Sequence, residues 1–240
     1  MRPLLLSIAA LALAACADYS PSGGAYPAAP VLTTVTLSLE VTAAEPGQQT
    51  AATATTLDQF GAAIAAGPVT FTSSAIEVAG VNPTTGAILA VGEGTTEITA
   101  TVGGLSASKR LTVTKAPIRI NEIVPDGDRP GGFVELYNPT DADIDMADWQ
   151  IGSDNLAALF RIPAGAKILA HGFLVVNEVT LPFGLKPRDG VHLFSRFGVQ
   201  VDSYSWLEDL GTGFARCPDG TGPLVVEQAA PTRRAANECS

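Results

Sequence analysis

The chain has 240 residues, with 24 Asp and Glu against 14 Lys and Arg, a formal net charge of −10 and 46% hydrophobic residues. Such an acidic surface would be repelled by phosphate backbones, which argues against nucleic acid as a partner. The length suits two domains of ordinary size, and beyond the N-terminus no apolar stretch approaches membrane-spanning length.

The first segment carries Arg2 and then Leu4 to Leu13, mostly Leu and Ala. A run of about ten residues suits the apolar region of a signal peptide and is too short to cross roughly 30 Å of hydrocarbon as a helix. It leads into Leu13-Ala14-Ala15-Cys16, which has the shape of a bacterial lipobox. Residues 1–15 therefore read as a cleaved leader and Cys16 as the lipidated first residue of the mature chain. In enteric-type lipoproteins an Asp directly after the Cys favours inner-membrane retention; here the position is Ala17, which points to the outer membrane. Residues 16–30 are rich in Ser, Gly, Pro and Ala, with too little apolar content to form a core, and read as a flexible tether.

From residue 31 to 114 short apolar runs alternate with small polar residues and show no helical period. Val35, Leu37 and Leu39 share a face, as do Val69 and Phe71, Ile98 and Ala100, and Leu111 and Val113. Turn signals fall between these runs at Pro46-Gly47, Gly67-Pro68, Asn82-Pro83, Gly86, Gly92 and Gly94. This pattern predicts an all-β sandwich. The ordered series Thr72-Ser73-Ser74, Val78, Val81, Thr85-Gly86, Ala90-Val91, Gly94-Thr95-Thr96 and Ile98-Thr99-Ala100 resembles the bacterial Ig-like domain of group 2 (BIG2). The resemblance implies a spacer or adhesive unit on a surface protein. Where that family usually has Trp before the Thr-Ser-Ser stretch, this chain has Phe71, still an aromatic plug for the core.

Lys115, Ala116 and Pro117 form the expected joint, a short extended linker that leaves little freedom and sets the modules roughly end to end. Over residues 117–240 a second β pattern begins. Ile118, Ile120 and Glu122 alternate with Arg119, Asn121 and Ile123, followed by an apolar run from Phe133 to Tyr137. Trp149 and Ile151 read as buried, and further strands are expected at 158–162, 173–177, 192–194 and 200–206. The stretches Ile120-Asn121-Glu122-Ile123, Phe133-Val134-Glu135-Leu136-Tyr137-Asn138, Asp145-Met146-Ala147-Asp148-Trp149 and Ile162-Pro163-Ala164-Gly165 resemble the lamin tail domain. So do Asp202-Ser203-Tyr204, Arg216, the run from Pro218 to Pro223, Pro231-Thr232 and Asn237. The resemblance implies an Ig-like β-sandwich used for binding or scaffolding more often than for catalysis.

Candidate sites are few. With Cys16 assigned to lipid, Cys217 and Cys239 are an even pair outside the cytoplasm and read as a disulfide pinning the C-terminal tail. Closing a loop of about 23 residues would stabilise by roughly 3 kcal/mol. Asp126 and Asp128 lie in a loop rich in Gly and Pro that reads as a solvated turn, with calcium coordination the alternative. Asp141, Asp143, Asp145 and Asp148 have an alternate spacing that could align three carboxylates on one strand face, but they lack the Gly and terminal Glu of an EF-hand and read as a solubilising turn. Glu122, Glu135 and Asn138 interrupt apolar strands; a carboxylate pair could serve glycoside hydrolysis, but satisfaction of backbone groups is the expected role. His171 and His192 stand apart from any nucleophile elbow or zinc motif. Among the aromatics Tyr204, Phe194, Phe197 and Phe214 read as core, and Trp206, just before a Gly-containing turn, as the best placed for a ligand contact.

The sequence thus predicts an all-β chain of two tandem Ig-like β-sandwiches after a lipoprotein signal peptide and tether. The expected function is non-enzymatic. A lipid-anchored cell-envelope protein has an Ig-like stalk that displays a lamin-tail-like head to a protein or glycan, without cofactor or nucleic acid. The alternative is an accessory binding subunit of an extracellular hydrolase or nuclease.

Overall fold

The computed structural model describes residues 28–125, 131–207, 213–226 and 230–239. Cys16, the leader, most of the tether, Asp126 and Asp128 lie outside the described residues.

The described chain is built from β-strands and one short 3₁₀ turn, Glu178–Thr180. The first module contains β1 (Leu32–Leu39), β2 (Ala43–Ala44), β3 (Gln49–Asp58), β4 (Thr70–Ser73), β5 (Ala79–Val81), β6 (Ala87–Ala90), β7 (Gly94–Val102) and β8 (Leu105–Val113). Two sheets form, β1-β3-β6-β5 and β2-β8-β7-β4, antiparallel except for the parallel pairing of β2 with β8. Alternation along each strand sends Leu37, Ala52, Ile88, Ile98 and Leu111 into one core with Phe71, which is 6% exposed. The Thr-Ser-Ser stretch ties β4 to β7, because the buried Thr96 hydroxyl bonds the Ser73 hydroxyl at 2.8 Å and accepts the Ala75 N–H at 3.0 Å. Gly86 sits at φ +73°, and a Cβ there would lie 2.4 Å from the Ala52 carbonyl oxygen, so the Thr85-Gly86 turn admits no side chain.

The second module contains β9 (Arg119–Val124), β10 (Phe133–Tyr137), β11 (Ile144–Asp145), β12 (Gln150–Ser153), β13 (Leu159–Arg161), β14 (Lys167–Ile168) and β15 (Phe173–Asn177). It continues with β16 (Asp189–Phe194), β17 (Gln200–Trp206), β18 (Phe214–Arg216) and β19 (Leu224–Val226). A five-stranded sheet, β15-β10-β9-β18-β19, and a four-stranded sheet, β13-β12-β16-β17, enclose a core that includes Ile118, Leu136, Trp149, Ile151 and Leu193. The small β11–β14 pair stands beside them.

The strict alternation expected for β9 breaks. Glu135 pairs with Glu122 and Leu136 with Ile120, so Asn121 is an extra residue, a β-bulge. The bulge resets the alternation: Ile118, Ile120 and Ile123 all join the core, while Asn121 and Glu122 bond groups on the opposite face. Alternation alone sets Ile123 apart from Ile120; two adjacent polar residues inside an apolar run are what the bulge accommodates.

The joint is packed. Val113 is the last residue of the first core and Ala116, 8% exposed, belongs to the second. Lys115 N–H donates to Glu93 Oε1 at 3.1 Å. Gly47, at φ +85°, brings the turn at Glu45–Gln48 against the β16–β17 turn: a Cβ on Gly47 would lie 2.9 Å from both Phe197 Cβ and Val199 Cγ2. Burial at this contact pushes the Glu45 carboxyl up, opposed by the Arg196 charge. Beside it runs an open groove of about 340 Å³, lined by Ala44, Gln48, Lys115, Pro117 and Ile144 among others.

Candidate functional site

A buried polar cluster lies on the outer face of the five-stranded sheet, opposite the core. On β10 the residues Val134 and Leu136 point into the core, which leaves Phe133, Glu135 and Tyr137 on the outer side. The bulge adds Asn121 and Glu122 from β9, and the turn after β18 adds Asp219. Asn121, Glu122 and Glu135 are fully buried, and residues 231–239 cross over the two glutamates as a strap.

The strap is held through its backbone. Thr232 N–H donates to Glu122 Oε1 at 3.0 Å, and Arg234 N–H to Glu135 Oε2 at 2.6 Å. Asn237 N–H donates to Asp219 Oδ1 at 3.2 Å, while its side-chain amide donates to the Arg216 carbonyl at 2.9 Å and the Asn121 carbonyl at 3.2 Å. Asn121 knits the seat together, donating to Asp219 Oδ1 at 2.9 Å and Glu135 Oε1 at 3.3 Å and accepting Gly220 N–H. Arg233 lays its guanidinium 4.4 Å over the Phe133 ring and donates to Asn177 and to the Gly131 carbonyl. At its end the strap is bonded covalently: Cys239 is joined to Cys217, Cα to Cα 5.5 Å.

Glu135 is electrostatically unusual. Burial pushes its carboxyl up to about 7; the Arg234 and Asn121 hydrogen bonds oppose this, and the neighbouring charges of Glu122 and Asp219 add to it.

A second buried group closes the edge of the sandwich. Ile120 lies past the end of the β9–β18 pairing, which covers only Ile123 and Glu122. Its N–H donates to Asp202 Oδ2 at 2.9 Å and its carbonyl accepts from Arg216 Nε at 2.8 Å. Arg216 also donates to Asp202 at 3.0 Å and to the Gly222 carbonyl at 2.6 Å. The ion pair, 12% and 17% exposed, thus satisfies backbone groups beside the bulge and links β17 to the opposing sheet.

The other expected sites separate. Trp206 is corrected: it is 5% exposed, packs on Phe214 at 5.3 Å between ring centres, and donates from Nε1 to the Lys186 carbonyl at 2.9 Å. As the last residue of β17 it falls on the inward side of the alternation, so its ring seals the core and is closed to a ligand. Asn138 donates to the carbonyls of Ala142 and Leu169 and accepts from Thr140, a backbone-holding role. Asp141, Asp143, Asp145 and Asp148 do not share a strand face; each has its own partner, His171 at 2.8 Å, Lys167 at 3.2 Å, Arg196 at 3.5 Å and Arg161 at 3.1 Å. His192 bonds Asp154 at 2.8 Å, and Ser205 donates to that same carboxylate, which is not the Ser-to-His contact of a nucleophile and base. Sequence reasoning missed the grouping of Asn121, Asp219, Thr232 and Arg234 with the two glutamates. The one local signal was the adjacent Asn121-Glu122 pair, since the partners lie about a hundred residues away along the chain.

Among the described residues no helix is long and apolar enough to cross a membrane, and no group of three or more His, Cys, Asp or Glu is arranged to hold a metal. Comparison with solved structures gives distant likenesses. Domains 5–6 of the S-layer protein SbsC align at 19% identity over 75% of this chain and 97% of that one, with a TM-score of 0.32. Domains 4–9 of the same surface layer protein align at 20% identity over 75% and 31%, with a TM-score of 0.32. The adhesin InvE of Yersinia pseudotuberculosis aligns at 14% identity over 77% and 68%, with a TM-score of 0.28. No curated protein matches the chain. Residues 112–208 match the family model of the Lamin Tail Domain, an Ig-like β-sandwich, so the second module is similar to that family up to the end of β17, while β18, β19 and the strap lie beyond the matched residues.

Proposed function

We propose that this chain is a non-enzymatic display protein of the cell envelope, anchored by lipid at Cys16, which meets its partners through its lamin-tail-like head. The first module, of the group 2 bacterial Ig-like kind, is the stalk; the second carries recognition of an envelope protein or glycan on its loops. The lipid and Ala17 favour the outer membrane.

The observation that carries the reading is the use made of the buried polar side chains. Glu122, Glu135 and Asn138 bond backbone groups of their own module, and Asn121 bonds the Gly220 N–H and the Glu135 and Asp219 carboxylates of that module. That is the chemistry of a scaffold, and the strap closes the carboxylate pair to a substrate. The packed joint supports display, because contact between Gly47 and Phe197 adds a second tether to the three-residue linker. Expression with a radiolabelled fatty acid tests the anchor: the wild-type chain takes up label and Cys16→Ser does not. Label on both chains, or on neither, overturns the anchoring.

A further inference from the structure

The end of the first module farthest from the joint is an uncharged pole. β1 begins there at Leu32, opposite Asp58 at the end of β3, and the turn between β7 and β8 closes over it: a Cβ on Gly103 would lie 2.9 Å from Leu32 Cδ2. Residues 28–36, 59–69 and 101–108 make up this pole and contain no Asp, Glu, Lys or Arg, although the whole chain has a net charge of −10. Asp58, at its edge, is 6% exposed and turned inward, where Oδ1 accepts the N–H groups of Phe60 at 2.8 Å and Ala62 at 2.9 Å. The other charges of the first module run from Lys109, in the middle of β8, to Glu45 and Glu93 beside the joint.

What the pole exposes is apolar. The Asp58 turn, with Gly61 at φ +79°, holds Phe60 out at its tip, 65% exposed, beside Val31 at 60%. Gln59 ties the two together: its Oε1 accepts the Val31 N–H at 2.8 Å, and its Nε2 donates to the Ala29 carbonyl at 2.9 Å. The chain arriving from Cys16 is thus clamped to the turn that carries Phe60. From Cys16 to Ala28 it spans at most about 40 Å, however extended. The ten residues of β3 then set the joint about 30 Å beyond the pole.

We propose that this pole rests on the bilayer that holds the lipid of Cys16, with Phe60 and Val31 in the interfacial region, so that the stalk stands on the membrane and the head points away. The proposal rests on the lipid anchoring above. Exposed apolar side chains without charge suit the boundary between head groups and acyl chains. An anionic lipid surface repels the acidic remainder of the chain, which leaves the pole as the end that can approach it. The anchor keeps the pole within reach of the surface, so a contact too weak to bind a free protein is enough to orient a tethered one.

The test uses the lipidated chain in vesicles of phosphatidylethanolamine and phosphatidylglycerol, with and without bromine on the acyl chains. Both natural tryptophans are buried in the second module, so a tryptophan added at the surface reports contact with lipid. Phe60→Trp should emit at shorter wavelength than the same chain carrying Cys16→Ser free in solution, and should lose emission on brominated vesicles. Ser38→Trp, exposed on the joint side of β1, should do neither. Val31→Trp gives the same reading should the first variant not fold. Flotation of the vesicles separates the two claims. A chain that does not float overturns the anchoring and the contact with it, whereas a chain that floats while Phe60→Trp is unquenched overturns the contact alone. A blue shift without quenching, the mark of a second copy covering the pole, also overturns it, as does equal quenching of Ser38→Trp, which would lay the module on its side.

Discussion

Replacing Asp202 by Ala should be among the most damaging single changes on the periphery of the second module. The carboxylate does two things at once: it accepts the Ile120 N–H beside the β9 bulge and it neutralises Arg216, whose guanidinium is held by the Ile120 and Gly222 carbonyls. Removing it orphans a backbone donor, which costs about 1–3 kcal/mol, and strands a largely buried cation. Breaking such a pair from one side costs about 3–5 kcal/mol, and the two carbonyls that still hold Arg216 place the change at about 3 kcal/mol in all. The chain has two tryptophans, and Trp149 and Trp206 both lie in the core of the second module, so fluorescence during urea unfolding reports that module alone. With a slope of about 2 kcal/mol per molar, the midpoint should fall by roughly 1.5 M. Asp202→Asn keeps an acceptor for Ile120 and should cost less. Arg216→Met placed on Asp202→Asn should cost less than the sum of the single changes by about 1–3 kcal/mol. A midpoint shift under about 0.5 M for Asp202→Ala, equivalent to less than about 1 kcal/mol on that slope, would show that the bulge does not depend on the pair.

Gly47→Ala puts a Cβ within 2.9 Å of Phe197 and Val199 at a positive φ, and should lower the thermal midpoint seen by circular dichroism, at a cost of about 1–2 kcal/mol. Trp206→Ala should destabilise the second module by about 3–5 kcal/mol in the same urea assay, as a core ring and not a ligand platform. Cys239→Ser should speed exchange of the 231–239 amides while leaving tryptophan emission native, since the strap lies outside the core cluster. Glu135, raised by burial, makes the folded second module lose stability as pH climbs from about 4.5 to about 7, a decline that urea titrations of Glu135→Gln should lack.

The all-β class and most strands were legible because period-two alternation is a local signal: Phe173–Asn177 and Gln200–Trp206 match the expected spans residue for residue. The β9 bulge was not, because which of two adjacent polar residues is extra depends on the partner strand. Trp206 was misread for a related reason. A Gly-containing turn beyond it suggested exposure, but the face of a strand-end residue is set by pairing to β16, where Trp206 stands opposite Asp189. Glu122 and Glu135 were legible as polar intruders with a structural role; their use, seating a strap from residues 231–239, rests on contacts that no local pattern encodes.

The central claim, that the chain recognises an envelope partner and does no chemistry, meets its most direct test in a binding array. The full chain, lipidated and held in detergent, is applied to immobilised glycans and purified envelope proteins, with and without calcium. Saturable binding to one class of glycan or protein, with the bound glycan recovered intact, is the predicted result. Binding to none of them in either condition, or turnover of a glycan that Glu135→Gln abolishes, would contradict it.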